Sequence, residues 1–202
     1  MRDYHIPLFP GGLYHILNRA NGDDALFKQE TNYHYFLEKY MQHISPIAQT
    51  LAWCLLPNHY HFLVRIKPVT ILKERYALRK GRELQDENKL PEFITEQFAN
   101  WQNAYAKAFN KMYERKGSLF MNYLRRVAID GEHQLGNTVF YIHKNPVHHC
   151  FAKVIGDWRW TSYKEYMCDR WFMVDSKEVV DWFGTKENFD QFHQQPIERK
   201  QT

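Results

Sequence analysis

The sequence has few cysteines and lacks a nucleotide-binding loop. Its three cysteines, Cys54, Cys150 and Cys168, are odd in number, widely spaced and outside any Cys-x-x-Cys pattern. We therefore expect no structural disulfide and a reducing compartment. No Gly-x-x-x-x-Gly-Lys-Ser/Thr loop occurs either, so nothing in the sequence indicates chemistry driven by ATP.

Long apolar runs are missing as well. The stretch "MRDYHIPLFPGG" at the start has no apolar run typical of a signal peptide, and no segment approaches membrane-spanning length. Internal repeats and low-complexity tracts are also absent. We therefore expect a cytoplasmic protein that does not use a membrane as its partner.

The composition is typical of a packed globular protein with a slight basic bias. Apolar residues make up 44% and aromatic residues 16% of the 202 positions, enough for one domain with a sizeable core and a small appendage. The net charge is +4, and the positive excess lies before residue 175. This bias favours a polyanionic partner only weakly, since many enzymes are equally basic.

The order of periodic segments predicts an α+β fold. "GGLYHILNRANG" indicates a strand, "ETNYHYFLEKYMQHI" an amphipathic helix and "TLAWCLLPNHYHFLVRIK" a hairpin. Residues 91–117 predict the longest helix, "SLFMNYLRRVAI" a loop and a strand, and "EHQLGNTVFYIHKN" a helix stopped by Pro146. An antiparallel sheet with helices packed on one face fits this order, and its other face is left for a ligand.

Two segments lie outside this pattern. Residues 68–90 are rich in both charge signs and predict an irregular or partly helical insertion. We expect one domain over residues 1–170, which carries this insertion, and a small C-terminal extension over residues 171–202.

Two histidines stand at the start of a strand that otherwise consists of core residues. In "LLPNHYHFLVRIK", strand alternation places His59 and His61 on one face and Tyr60 and Phe62 on the other. The second face indicates core. The first indicates either a metal site or two histidines on a half-exposed strand, and spacing alone leaves both open.

A second constellation lies in the helix "FYIHKNP". Tyr141 and Asn145 are four residues apart and therefore share a helix face, where they could supply a nucleophile and a third ligand. The alternative is a core tyrosine and a helix-end residue before proline. Three histidines remain rival ligands: His143, His148 and His149.

Three motifs in this order resemble one known family. "LPNHYHFLVRI", "AYAKAFNKMYERKGSLF" and "FYIHKNPVHH" look like the single-tyrosine HUH transposases, in particular the REP-associated tyrosine transposases. HUH denotes His, a bulky hydrophobic residue and His, here His59, Tyr60 and His61. "YHILNRANG" also resembles the first strand of the family, and the likeness covers roughly residues 11–166.

The resemblance implies a ferredoxin-like domain that nicks and rejoins single-stranded or hairpin DNA. It implies Tyr141 as the nucleophile, with a covalent 5′-phosphotyrosine intermediate. It also implies Mg²⁺ or Mn²⁺ bound by His59, His61 and Asn145. The residues expected to contact DNA are Arg19, Lys107, Lys111, Arg115, Arg125 and Arg126. Whether the chain forms a homodimer is left open.

Three other functions stay open. A relative that binds hairpin DNA or RNA without cutting would keep the basic surface, and a nickase of the relaxase or replication-initiator type would share the chemistry. A zinc hydrolase could use His59, His61 and either His148 or His149. Lys107, Lys111 and Arg115 recur every four residues. The alternative to DNA contact is that they form an ordinary solvent-exposed helix face.

Overall fold

The computed structural model describes residues 6–168, 173–174 and 177–197. The strands in these residues are β1 Leu13–Arg19, β2 Ala48–Leu56, β3 His59–Ile66 and β4 Arg125–Ala128. The α-helices are α1 Glu30–His43, α2 Val69–Lys80, α3 Leu90–Met112, α4 Glu132–His148, α5 Tyr163–Cys168, α6 Lys177–Phe183 and α7 Lys186–His193. None of these helices combines the length and hydropathy of a membrane span.

The four strands form one antiparallel sheet in the order β2-β3-β1-β4. β1 lies inside the sheet, paired with β3 on one side and β4 on the other. Because α1 connects β1 to β2 and α3 connects β3 to β4, the connectivity is that of a ferredoxin-like fold. The predicted fold class is confirmed.

Aromatic side chains fill the space between one face of the sheet and helices α1 and α3. The ring of Phe62 stacks on Tyr40 of α1 at 4.3 Å between centroids, and Tyr60 lies 5.1 Å from Trp101 of α3. All four side chains are fully buried. The even-numbered residues of β3 therefore form the core face, as strand alternation predicted.

The opposite face of the sheet carries α4, which packs mainly against β2 and β3. The segment after α4 pairs with the edge strand β2, since the backbone N–H of Leu55 donates to the carbonyl of Trp160 at 2.9 Å. Part of the face that the sequence left for a ligand is thus covered by a helix. This helix carries Tyr141 and Asn145, so its position decides where the candidate site forms.

The 68–90 insertion is more regular than its mixed charge indicated. Its first half is helix α2, which ends at Gly81 in the left-handed conformation (φ +68°) that glycine adopts most readily. Leu72 and Tyr76 are its buried residues, and Tyr76 packs against Phe93 of α3 at 5.2 Å. α2 therefore extends the helical layer rather than forming a loose loop.

Two predicted helix ends were wrong. α3 ends at Met112 rather than at Gly117, because Glu114 has a positive φ of 50° and turns the chain away from the axis. α4 continues through Pro146 to His148. A proline removes only one backbone donor, and the Pro146 carbonyl still accepts from the N–H of Phe151 at 2.8 Å.

The described C-terminal helices pack against α4 and contact the sheet. Glu178 of α6 accepts a hydrogen bond from Nε of Arg65 at 2.8 Å. A Cβ on Gly136 of α4 would lie 2.2 Å from a ring carbon of Trp182, so glycine permits the close approach of α6. The domain boundary at residue 170 stays a prediction, and residues 171–172, 175–176 and 198–202 of the extension lie outside the described residues.

Candidate active site

The odd-numbered residues of β1 and β3 build a histidine face on the side of the sheet opposite the aromatic core. The register pairs Leu17 with His61 and Arg19 with His59, so these side chains point the same way. His15 lies diagonally across from His61, with 2.9 Å between its Nε2 and Nδ1 of His61. His15 belongs to none of the motifs that predicted the site, although it is the one imidazole in the otherwise apolar first half of β1.

The contact with His15 fixes which nitrogen of His61 is available. Only one of the two facing nitrogens can carry the shared proton, and Nε2 of His61 is buried without a hydrogen-bond partner among the described residues. Burial, followed by the neighbouring His15, His59 and His149, holds the pKa of His61 well below its usual value, and burial lowers the pKa of His15 to about 4. Both rings are therefore neutral. If Nδ1 of His61 carries the shared proton, its Nε2 lone pair points away from His15 as a potential metal ligand.

His59 lies at the edge of this face and is half-buried. Its Nδ1 is 2.7 Å from Oδ1 of Asn58, an oxygen that can only accept, so Nδ1 carries the proton. Nε2 then carries the lone pair of His59. His61 has the same tautomer if its Nδ1 carries the proton shared with His15. Asn58 occupies the turn before β3 and orients the ring.

Tyr141 of α4 faces the two buried imidazoles. Its ring centroid is 5.6 Å from that of His61 and 5.8 Å from that of His15, while the side chain remains 42% exposed. Burial raises the pKa of Tyr141, and a hydrogen bond from Asn145 opposes that rise. The phenol is thus protonated at neutral pH and needs activation to act as a nucleophile.

Asn145 lies one turn further along α4 and is almost completely buried. Its Nδ2 donates to the carbonyl of Tyr141 at 2.5 Å, which leaves Oδ1 buried with no partner in the described part of the chain. An amide oxygen of this kind costs free energy unless something donates to it or binds it.

A cavity of about 380 Å³ opens beside these groups. Its lining residues are Leu17, Asn18, Arg19, Asn58, His59, His61, Arg125, Tyr141, His149 and Phe151. Two arginines are among them, and no carboxylate is found among the described residues that line it. The cavity is suited to an anion beside Tyr141.

The three alternative histidine ligands differ in their position relative to the cavity. His143 is turned away from the cavity, with Nδ1 2.9 Å from Nε2 of His193 and Nε2 2.8 Å from Oγ of Ser162. His149 lines the cavity, with its ring 4.8 Å from that of His59, and His148 contacts His149. In the described residues no three His, Cys, Asp or Glu side chains are arranged to hold a metal, so the zinc alternative has no ligand cluster to support it.

The expected DNA-contacting residues are scattered over the molecule. Arg19 and Arg125 line the cavity, because β4 pairs Arg125 with Leu17 on the histidine face. Lys107 and Lys111 are exposed on α3, in the layer on the other side of the sheet.

Two of the six are engaged elsewhere. Arg115 lies beyond the end of α3, where its Nε donates to Asp24 at 2.9 Å and its Nη2 to the carbonyl of Ser118 at 2.8 Å. Arg126 points to the core face and donates to the carbonyl of Ile6 at 3.2 Å, and burial lowers its pKa. The prediction that Arg115 continues the helical series of Lys107 and Lys111 is therefore wrong. The DNA-binding roles of all six residues stay predictions.

Comparison with known proteins shows what the chain is similar to. No protein-family model matches the chain. A curated protein of Haemophilus influenzae, provisionally named a REP-associated tyrosine transposase, is 26% identical over 117 residues. That alignment covers 57% of this chain and 58% of the relative, so it spans little more than half of either protein.

A solved structure supports the same class through its fold. A REP-associated tyrosine transposase bound to a REP hairpin superimposes with a TM-score of 0.59 at 16% identity, covering 87% of this chain and 90% of the other. The chain is thus similar to REP-associated tyrosine transposases in sequence and shares their fold. The resemblance found in the motifs is confirmed, while the roles of Tyr141, His59, His61 and Asn145 stay predictions.

Proposed function

We propose that this chain cleaves and rejoins single-stranded DNA beside a hairpin, through a covalent 5′-phosphotyrosine on Tyr141. The observation that carries the proposal is the convergence, in one basic cavity, of a half-exposed tyrosine with the two histidines of the HUH pattern. The names of the relative and of the structural neighbour support hairpin DNA as the partner.

The donor set fits a divalent cation at His59, His61 and Asn145. Nε2 of His61 and Oδ1 of Asn145 are both buried without partners among the described residues, and both are lone-pair donors. A bound Mg²⁺ or Mn²⁺ would polarise the scissile phosphate and neutralise the charge that develops on it. Two imidazoles and one amide oxygen carry no negative charge, so they leave the cation fully positive toward the phosphate.

The reaction of Tyr141 is an ester exchange. Its phenolic oxygen forms a bond to phosphorus as the bond from phosphorus to the 3′-oxygen breaks. The phenol loses its proton and the departing 3′-oxygen gains one, so the number of protons is unchanged. One phosphoester is lost and one is gained, so no external energy source is required. Attack of a 3′-OH on the phosphotyrosine reverses the bonds and rejoins a strand.

Arg19 and Arg125 are the residues of this chain that would hold the DNA backbone at the cavity. Arg19 lies on β1 and Arg125 on β4, both line the cavity, and a guanidinium binds two phosphate oxygens in its preferred geometry. Lys107 and Lys111 could contact only DNA that wraps around to the α3 layer. Arg115 and Arg126 are held by intramolecular hydrogen bonds and are left out of the proposed contact set.

A covalent adduct is the result that tests the proposal. The protein is incubated with Mg²⁺ and a labelled hairpin oligonucleotide that has single-stranded flanks, and is then run on a denaturing gel. We expect a labelled band that survives SDS and maps to the peptide containing Tyr141. Binding without an adduct would instead indicate a hairpin-binding relative that does not cut. Attachment at Tyr123 or Tyr163 would show that Tyr141 is the wrong nucleophile.

The metal site is tested separately by measuring Mn²⁺ affinity with no DNA present. Asn145→Ala should weaken Mn²⁺ binding by about 10-fold or more, because one of three ligands is lost. Cleavage should be partly restored at high Mn²⁺. Asn137→Ala is the matched control, since Asn137 is an exposed asparagine two turns earlier on α4. Equal affinities in the two variants would remove Asn145 from the site.

A further inference from the structure

One wall of the cavity is an exposed aromatic ring that the proposed chemistry does not use. Phe151 lies just beyond α4, is 43% exposed and lines the cavity together with Tyr141. A single exposed aromatic ring is common on protein surfaces, but this ring lines a basic cavity beside Tyr141.

The backbone around Phe151 is held in an uncommon conformation. Cys150 has a φ of +61°, in the left-handed region that residues other than glycine rarely adopt. The N–H groups of Phe151 and Ala152 both donate to the carbonyl of Pro146, at 2.8 and 3.2 Å. This turn ends α4 and directs the chain so that the Phe151 ring faces the cavity.

The ring is also supported from behind. Its centroid lies 5.7 Å from that of Trp158 at an interplanar angle of 44°. Trp158 is itself fixed, because its Nε1 donates to the carbonyl of Leu55 in β2 at 2.8 Å. Phe151 is therefore a preorganised flat surface, and a ligand that stacks on it does not have to order it first.

The ligand that fits such a wall combines negative charge with a flat apolar group. Arg19 and Arg125 supply cationic groups to the cavity lining, and Phe151 and Tyr141 supply aromatic rings to it. A nucleotide has both parts in one molecule, a phosphate and a base. Stacking of bases on aromatic side chains is also how proteins bind single strands without reading the sequence.

We propose that Phe151 stacks on one unpaired nucleobase next to the phosphate that Tyr141 attacks. This inference rests on the proposed function and adds a base subsite to it. A base inside a duplex already has its faces covered by its neighbours and cannot stack on Phe151. The subsite would thus favour DNA that is single-stranded at the cleavage position, independently of the hairpin beside it.

The test uses the fluorescent base 2-aminopurine, placed in turn at each flanking position of a hairpin oligonucleotide. Binding is measured in the Tyr141→Phe background, so that no turnover occurs. We expect one position at which the fluorescence is quenched by the protein. Phe151→Ala and Phe151→Leu should abolish that quenching and weaken binding roughly 5- to 100-fold, whereas Phe151→Trp should retain both.

Two controls separate stacking from general effects. Phe9→Ala removes another exposed phenylalanine, 54% exposed and outside the cavity lining, and should change neither signal. An abasic site at the quenched position should weaken binding of the parent protein to the level of Phe151→Ala, with no further loss when the two changes are combined. Additive losses, or quenching that survives in Phe151→Leu, would overturn the proposal.

The two proposals fail in different ways. If the native protein forms an adduct at Tyr141 but Phe151→Ala binds and quenches like the parent, the base subsite is wrong and the nucleophile stands. If no adduct forms yet quenching depends on Phe151, the chain binds an unpaired base without cutting. Each result is read from a separate signal.

Discussion

Tyr60 and His61 are neighbours in β3, yet they belong to opposite environments. Tyr60 is fully buried in the aromatic core, where its hydroxyl accepts a hydrogen bond from Nε2 of Gln102 at 2.7 Å. His61 is buried to almost the same degree on the other face, but its Nε2 has no partner in the described residues. One face satisfies its polar atoms internally, and the other leaves ligand atoms unsatisfied.

This difference separates stability from function within one strand. A buried polar atom without a partner costs about 1–3 kcal/mol, so the histidine face is a site where the fold gives up stability. Unsatisfied buried polar atoms persist at functional sites, where ligand binding can compensate for the lost free energy. The core face should therefore respond to substitution through unfolding, and the histidine face through lost chemistry.

The largest expected effect is the complete loss of chemistry without loss of fold. Tyr141→Phe removes only the phenolic oxygen, so adduct and cleavage should fall to background, while the thermal midpoint and DNA affinity stay unchanged. Gel assays of adduct formation and a thermal melt measure these outcomes. Tyr123→Phe is the control, since Tyr123 is 64% exposed and lies outside the cavity lining. Residual adduct in Tyr141→Phe would contradict the assignment.

The two faces can be compared directly with a pair of substitutions in β3. Phe62→Ala opens a cavity in the aromatic core and should lower the free energy of unfolding by about 3–5 kcal/mol. His61→Ala should lower it by about 2 kcal/mol, because it leaves Nε2 of His15 without its partner but also removes the unpartnered Nε2 of His61. Only His61→Ala should abolish cleavage that depends on divalent cations while most molecules remain folded. Urea titrations and cleavage assays decide, and full activity of His61→Ala would remove it from the site.

A third prediction concerns pH and the helix that carries Tyr141. Burial lowers the pKa of His193 from 6.5 to about 4, although the Phe189 carbonyl and Asp190 act in the opposite direction. The unfolded chain therefore takes up this proton near pH 6.5, before the folded protein does. His193 should therefore contribute roughly 3 kcal/mol of stability that is fully present above about pH 6.5 and is lost toward pH 4, in addition to the loss from buried His15 and His61.

Urea titrations from pH 7.5 to pH 4.5 measure this slope. His193→Gln should make it shallower without abolishing it, because glutamine does not titrate while buried His15 and His61 still do. His133→Gln, which changes an exposed histidine, should keep the native slope. If the slopes of all three proteins agree, burial of His193 does not set the pH dependence.

The smallest effect distinguishes cations on the two sides of the sheet. Arg125→Gln should weaken hairpin binding modestly and reduce the slope of log affinity against log salt by about 1, as loss of one phosphate contact does. The double variant Lys107→Gln, Lys111→Gln should leave affinity and slope nearly unchanged, since α3 packs on the far side of the sheet. Filter-binding titrations between 50 and 200 mM salt are sufficient. A larger loss in the lysine variant would mean that DNA reaches the α3 layer.

The sequence predicted side-chain positions correctly where they depend on the geometry of a single strand or helix. Alternation in β3 assigned Tyr60 and Phe62 to the core and the histidines to the other face, as the structure has them. Helical spacing likewise placed Tyr141 and Asn145 one turn apart. Both inferences depend only on local backbone geometry.

What the sequence could not supply were relations between elements. His15 contacts His61 only because β1 and β3 pair in one register, and the engaged state of His143 depends on α7, fifty residues further on. Arg125 and Arg126 are adjacent and looked equivalent, but β4 directs them to opposite faces. The end of α3 was misplaced because the turn at Glu114 involves no proline or glycine at that position.

The pairing of β1 with β3 has a consequence for newly made chains. His15 and His61 are 46 residues apart in the sequence, and their contact exists only when Leu17 is opposite His61. A slip of one residue would present Tyr60 in place of His61, because every side chain of the strand would change face. A chain with an unfinished or misaligned sheet therefore lacks the histidine face altogether. In a protein proposed to break DNA, competence to cut would arrive only after β1 and β3 have paired in this register.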